Sequence, residues 1–186
     1  MAFASISDKE FLDRALNLFR TYGFEGVSLS RLSAATGLEK ASLYYRYPKG
    51  KEEIAMAVVQ HVIQWFQANV FGPLQGDGSP RKRVATVADR LRAFYLEGRK
   101  SCIVDVLSVP GGSDAIASTL RSAVQAWIHA FAEIARESGL PPVLARTRAE
   151  EAVLRIEGSL VLARVMGDCS QFKRTLESLP DFLSVP

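Results

Sequence analysis

Apolar residues recur at three- and four-residue spacing through almost the whole chain, and nowhere do they alternate with polar ones in a sustained run. That periodicity argues against a sheet protein and predicts an all-α fold of about nine helices punctuated by glycine and proline. Ser7 and Glu10 form a capping box ahead of the stripe Phe11, Leu12, Ala15, Leu16 and Phe19, which Gly23 can terminate. Ser28 opens a second, short helix with Leu29, Leu32 and Ala35 inward, and Gly37 ends it. The segment GLEKASLYYRYP, residues 37–48, holds a third helix of about two turns, stopped because proline disfavours helical geometry in the residue before it. A long helix runs from about Lys51 to Val70, and GPLQGDGSP, residues 72–80, is the clearest punctuation in the chain. Further helices are expected over about residues 80–99, 102–109 and 114–138, from Leu144 to Met166, and after Asp168. Pro110-Gly111-Gly112 closes the short helix over 102–109, and Gly139 with Pro141-Pro142 ends the one over 114–138.

A chain of 186 residues can bury roughly 70% of the surface it exposes when unfolded, so it needs no metal or disulfide to fold. Its two cysteines, Cys102 and Cys169, stand far apart and in no metal-ligand spacing, which fits a reduced, cytoplasmic protein. MAFASISDKEF carries no apolar run of signal-peptide length, and the apolar stretch near Met56 is broken by Gln60, His61 and Gln64, so no membrane partner is expected. The two histidines, His61 and His129, belong to no catalytic or metal spacing, and there is neither a Gly-rich phosphate loop nor a nucleophile elbow. Neither an enzyme nor a cofactor is expected.

The net charge of +3 is small, but its distribution is uneven. Between Ser28 and Lys51, Arg31, Lys40, Arg46, Lys49 and Lys51 face one acid, Glu39. The second and third helices meet at Gly37, as in a helix-turn-helix: Ser33 is small where the helices cross, and Gly37 permits positive φ in the turn. Leu43, six positions on, locks the third helix down, and such a helix can present its N-terminal residues to base edges in a major groove.

FLDRALNLFRTYGFEGVSLSRLSAATGLEKASLYYRYPKGKEEI, residues 11–54, resembles the DNA-binding domain of TetR-family transcriptional regulators. The likeness rests on the Tyr-Gly-Phe-x-Gly helix ending, the following cap, the third helix and the Pro-Lys-Gly-Lys-Glu-Glu entry to the fourth. Ser33 stands for a usual alanine, Ala41 for a frequent glycine, and Tyr45-Arg46 where many members carry two histidines. The resemblance implies DNA-binding roles for Ser28, Lys40, Ala41, Ser42, Tyr44, Tyr45, Arg46 and Lys51. Lys40, Ala41, Ser42 and Tyr45 are the expected base contacts, while Ser28, Tyr44, Arg46 and Lys51 meet the phosphate backbone. Residues 1–50 form the helix-turn-helix domain, 51–70 the connecting helix, and 51–186 a helical effector-binding and dimerisation domain.

In that second domain AVLRIEGSLVLARVM, residues 152–166, is apolar on too wide an arc to pack on one side only. Val153, Leu154, Gly158, Val161, Leu162 and Val165 are the expected homodimer interface, with Gly158 and Ser159 permitting close approach. Trp65, Phe66, Phe94, Tyr95, Cys102, Trp127 and Phe131 are candidates to line a pocket for a small, hydrophobic effector, with Asp105 orienting a polar or cationic group. The function implied is a repressor that binds a palindromic double-stranded DNA operator as a dimer and is released by its effector. An activator of the same fold, or a helical small-molecule-binding protein without DNA binding, are the alternatives.

Overall fold

The computed structural model describes residues 6–108 and 113–185, and among them the chain is helical and carries no strand. The helices are α1 (Asp8–Gly26), α2 (Leu29–Thr36), α3 (Lys40–Arg46), α4 (Lys51–Phe66), α5 (Pro80–Phe94), α6 (Ile103–Leu107), α7 (Asp114–Glu137), α8 (Pro142–Met166) and α9 (Ser170–Ser184). A π-helical turn, Gln67–Phe71, and a short α turn, Gly72–Leu74, prolong α4. The all-α expectation holds. Val109 and the Pro110-Gly111-Gly112 stop lie outside the described residues.

Serine caps explain where four of these helices start. Ser7 Oγ accepts the Glu10 amide at 3.2 Å, while the Glu10 carboxylate turns to Arg14 at 2.5 Å and completes a side-chain pair in place of the reciprocal half of the box. Ser28 Oγ accepts the Arg31 amide, Ser79 Oγ that of Lys82 ahead of Pro80, and Ser113 Oγ that of Ile116. Gly23, at φ +66°, breaks helical geometry where a terminator was expected, but one more turn follows to Gly26. α5 departs further from its expected span. It ends at Phe94, five residues early, and the chain turns through Leu96, Glu97 and Gly98, all at positive φ. Gly98 passes so close to Phe172 that an added Cβ would sit 2.9 Å from the ring, so the backbone must turn there.

Two compact units share the chain. The first comprises residues up to Ile63 together with Ile103–Leu120; the second comprises Gln64–Cys102 and Arg121–Pro186. The division between these units falls within α4, and α6 belongs to the first, where it packs on α1. Phe11, Phe19, Leu32, Leu43, Ile54 and Ile116 are fully buried in the first unit. In the second, α9 packs on both α5 and α8, and Leu91, Tyr95, Phe131, Ile156, Phe172 and Leu176 are fully buried. Arg83, itself buried, donates to the Leu74 carbonyl at 2.6 Å and pairs with Glu137, tying α5 to the end of the α4 extension and to α7.

Candidate DNA-reading surface and effector site

The turn between α2 and α3 is built by short-range hydrogen bonds. Gly37, at φ +75°, takes the left-handed cap position, and its amide donates to the Ser33 carbonyl at 2.9 Å. Ser33 is more than small: its hydroxyl donates to the Leu38 carbonyl at 2.6 Å and so braces the turn from within. Leu43 is fully buried, and Tyr47 stacks on Phe11 with centroids 5.3 Å apart. With those two side chains inward, the 3.6-residue period turns Lys40, Ala41, Tyr44 and Tyr45 to solvent. Tyr45 is 89% exposed and Tyr44 52%, large values for aromatic rings with no partner in the fold. Ser42 and Arg46 are half-buried at the edges of this face.

The residues expected to meet phosphates are differently committed. Ser28 is exposed, and its hydroxyl is occupied as acceptor for the Arg31 amide, leaving its own O–H to donate. Arg46 is paired with Asp8 at 3.4 Å, a long contact to an exposed carboxylate. Lys51 is held more firmly. Its ammonium donates to the Phe24 carbonyl at 3.1 Å, lies 4.2 Å from the centroid of the Phe24 ring and sits 3.7 Å from Glu25. Lys51 therefore fastens α4 to the end of α1, a positioning contact that sequence spacing did not reveal. A basic group not singled out from sequence stands beside Ser28: the exposed Arg31 guanidinium lies 4.2 Å over the Tyr22 ring. The local basic excess was its only signal.

Behind the reading face, His61 Nε2 lies 2.8 Å from Asp13 Oδ1, and Lys9 approaches the other carboxylate oxygen at 2.8 Å. Burial alone would raise the Asp13 carboxyl, but the hydrogen bonds and charges of Lys9 and His61 outweigh it and hold the group below its ordinary value. This contact joins α1 to α4.

In the second unit, six of the proposed effector residues form one connected aromatic cluster. Trp65 and Phe94 stack at 3.9 Å, Phe66 meets Trp127 edge-on at 5.0 Å, and Trp127 lies 5.9 Å from Phe131. Tyr95 joins through Phe94 at 5.0 Å and donates its hydroxyl to Cys102 Sγ at 3.3 Å. Trp65 and Phe94 are half-buried; the others are buried. Asp105 does not belong to this unit: it lies on α6 in the first, half-buried.

On α8 the two apolar stripes separate. Val153, Ile156, Leu160 and Ala163 face the core of their own unit, and Val153 is only 5% exposed. Leu154 is 70% exposed and Val165 74%; Gly158 and Leu162 are also exposed and Val161 half-buried. Val143 and Met166 extend the uncovered apolar surface at the two ends of the helix. Among the described residues no helix is long and apolar enough to cross a membrane, and no His/Cys/Asp/Glu group suits a metal ion.

A three-helix unit with this turn and this exposed third helix, followed by a remainder that is helical among the described residues, has the arrangement of a helix-turn-helix DNA-binding protein. Residues 11–58 match the family described as "Bacterial regulatory proteins, tetR family". Among curated relatives, the HTH-type transcriptional regulator LmrA of Bacillus subtilis is 23% identical over 95% of this chain and 96% of its own length. The biofilm operon icaADBC HTH-type negative transcriptional regulator IcaR of Staphylococcus epidermidis is 37% identical over 31% of this chain and 30% of its own. The crystal structure of a TetR transcriptional regulator from Legionella pneumophila shares the fold, with a TM-score of 0.80 at 21% identity over 97% of both chains. Over residues 11–58 the chain thus matches the TetR family, and along nearly its whole length it is similar to a curated HTH-type transcriptional regulator and shares the fold of a TetR regulator.

Proposed function

We propose that the protein is a ligand-responsive repressor that binds a palindromic operator as a homodimer and leaves it when a small, hydrophobic effector binds the second unit. The observation that carries the reading is the division of α3, with Leu43 and Tyr47 turned inward and Lys40, Ala41, Tyr44 and Tyr45 outward. Lys40, Ala41, Ser42 and Tyr45 read base edges; Ser28, Tyr44, Arg46 and Arg31 engage the sugar-phosphate backbone. Lys51 adds positive charge while it fixes the end of α1. The uncovered stripe Leu154, Gly158, Val161, Leu162 and Val165 joins two copies, because an identical face supplies the matching apolar surface. Such a dimer sets its two recognition helices roughly 34–36 Å apart, one helical turn of DNA.

Repression follows if the bound dimer blocks transcription, and one relative is named a negative regulator. The effector favours a dimer geometry whose helix spacing no longer fits successive grooves, and the coupling equals its differential affinity for the two states. α4, continuous between the two units, carries the change. The test is operator affinity measured against ligand concentration. Affinity should fall as ligand saturates; an affinity unchanged by a ligand that demonstrably binds refutes the release mechanism.

A further inference from the structure

The aromatic cluster of the second unit contains one polar atom whose chemistry is incomplete. Trp127 is 2% exposed, and its Nε1–H has no hydrogen-bond partner among the described residues. Buried indole N–H groups ordinarily find an acceptor, because an unmatched donor removed from water is costly. The neighbouring rings do not supply one. Phe66 and Phe131 offer only π faces, which are weak acceptors, and the Tyr95 hydroxyl is already directed at Cys102.

The rings beside this donor belong to Phe66, at 5.0 Å, and Phe131, at 5.9 Å. Trp65 and Phe94 already stack at 3.9 Å and are only half-buried, so the cluster opens toward solvent at that edge. Both pairs are followed at once by irregular backbone. The π-helical turn begins directly after Trp65-Phe66, and the positive-φ residues Leu96 and Glu97 directly follow Phe94-Tyr95. A backbone outside ordinary helix geometry on both sides gives these rings freedom to part that a continuous helix would deny them.

We propose that this cluster binds a planar, conjugated molecule bearing a hydrogen-bond acceptor, such as a carbonyl or a ring nitrogen, and that Trp127 Nε1 donates to it. The ring system slides between Trp65 and Phe94 or extends their stack, and the acceptor completes the buried indole. A fully hydrocarbon ligand fills the same space but leaves the indole unmatched. This inference rests on the effector-site reading above and specifies its ligand.

Matched pairs differing only in the acceptor test it: quinoline against naphthalene, and 9-fluorenone against fluorene, titrated into the full chain by quenching of tryptophan fluorescence. In the native protein the acceptor-bearing member of each pair should bind about tenfold tighter, the loss expected for one unmatched buried donor. Trp127→Phe keeps a ring, removes the donor and leaves Trp65 as fluorophore, so the ratio should fall toward one. Equal binding within both pairs by the native protein, no binding by any of the four compounds, or a ratio that survives in Trp127→Phe each overturns the proposal. Should Trp127→Phe fail to fold, the native ratios alone decide. Selective binding that leaves operator affinity unchanged would sink the release mechanism and leave this site standing.

Discussion

α3 and α8 both leave large side chains in water, and the chemistry of what they leave there differs. On α3 the exposed groups are Tyr44 and Tyr45 with Lys40, rings tipped by hydroxyls beside a cation. On α8 they are Leu154, Leu162, Val165 and Met166, with Gly158 in their midst and no polar tip among them. In the proposed function the first face meets a polar, negatively charged surface and the second a copy of itself. One fold can thus carry two unpaired faces without confusing them, because hydrogen-bonding capacity separates their partners. The comparison also shows why burial alone misleads: α3 buries Leu43 and α8 a long apolar stripe, yet it is the uncovered side of each that separates their partners.

The largest expected effect falls on α8. Leu154→Glu combined with Val165→Glu places four carboxylates in a two-fold interface and should weaken dimerisation by at least about a hundredfold, read by sedimentation equilibrium. An unchanged dimer would break the comparison, since α8 would then not be the self-complementary face. On α3, Lys40→Ala and Tyr45→Ala should each cost about 1–3 kcal/mol at particular base pairs and alter the preferred sequence, read by competition among duplexes. Arg46→Ala should instead weaken all duplexes alike and reduce the salt slope by about one, because its pairing with exposed Asp8 is easily exchanged for a phosphate. If the three variants behaved alike, the division of α3 into base and backbone contacts would be wrong.

The smallest effect concerns the support behind α3. Contacts with Lys9 and His61 hold the folded Asp13 carboxyl below its ordinary value, so their contribution is complete above the unfolded carboxylate pKa of about 3.9. It is lost as pH falls through the lower folded value. Asp13→Asn should therefore flatten the acid side of the stability profile and leave the neutral side with only a small loss, read by thermal melts at a series of pH values.

The helix-turn-helix was legible because every requirement there is local. Ser7, Ser28, Gly37 and Pro48 each act within four residues of themselves, and Leu43 follows from spacing alone. What spacing could not show were consequences of packing. Beyond the end of α5, Gly98 passes close to Phe172, more than seventy residues away in sequence. Lys51 reads as a free cation until Phe24 is brought under it, and Arg31 gains its aromatic support only when Tyr22 is brought beneath it. Val153 and Leu154 are neighbours in one apolar run, and only the position of the core decides that the first is hidden and the second exposed. The aromatic residues were identifiable as a group, whereas the unmatched Trp127 donor required coordinates.

The central claim is that two copies joined through α8 read DNA with paired α3 helices. Selection of bound duplexes from a random pool by the native protein tests it most directly. The account predicts enrichment of two inverted half-sites whose centres lie one helical turn, roughly 34–36 Å, or a whole multiple apart. Recovery of a single half-site, of direct repeats, or of no common sequence would contradict it.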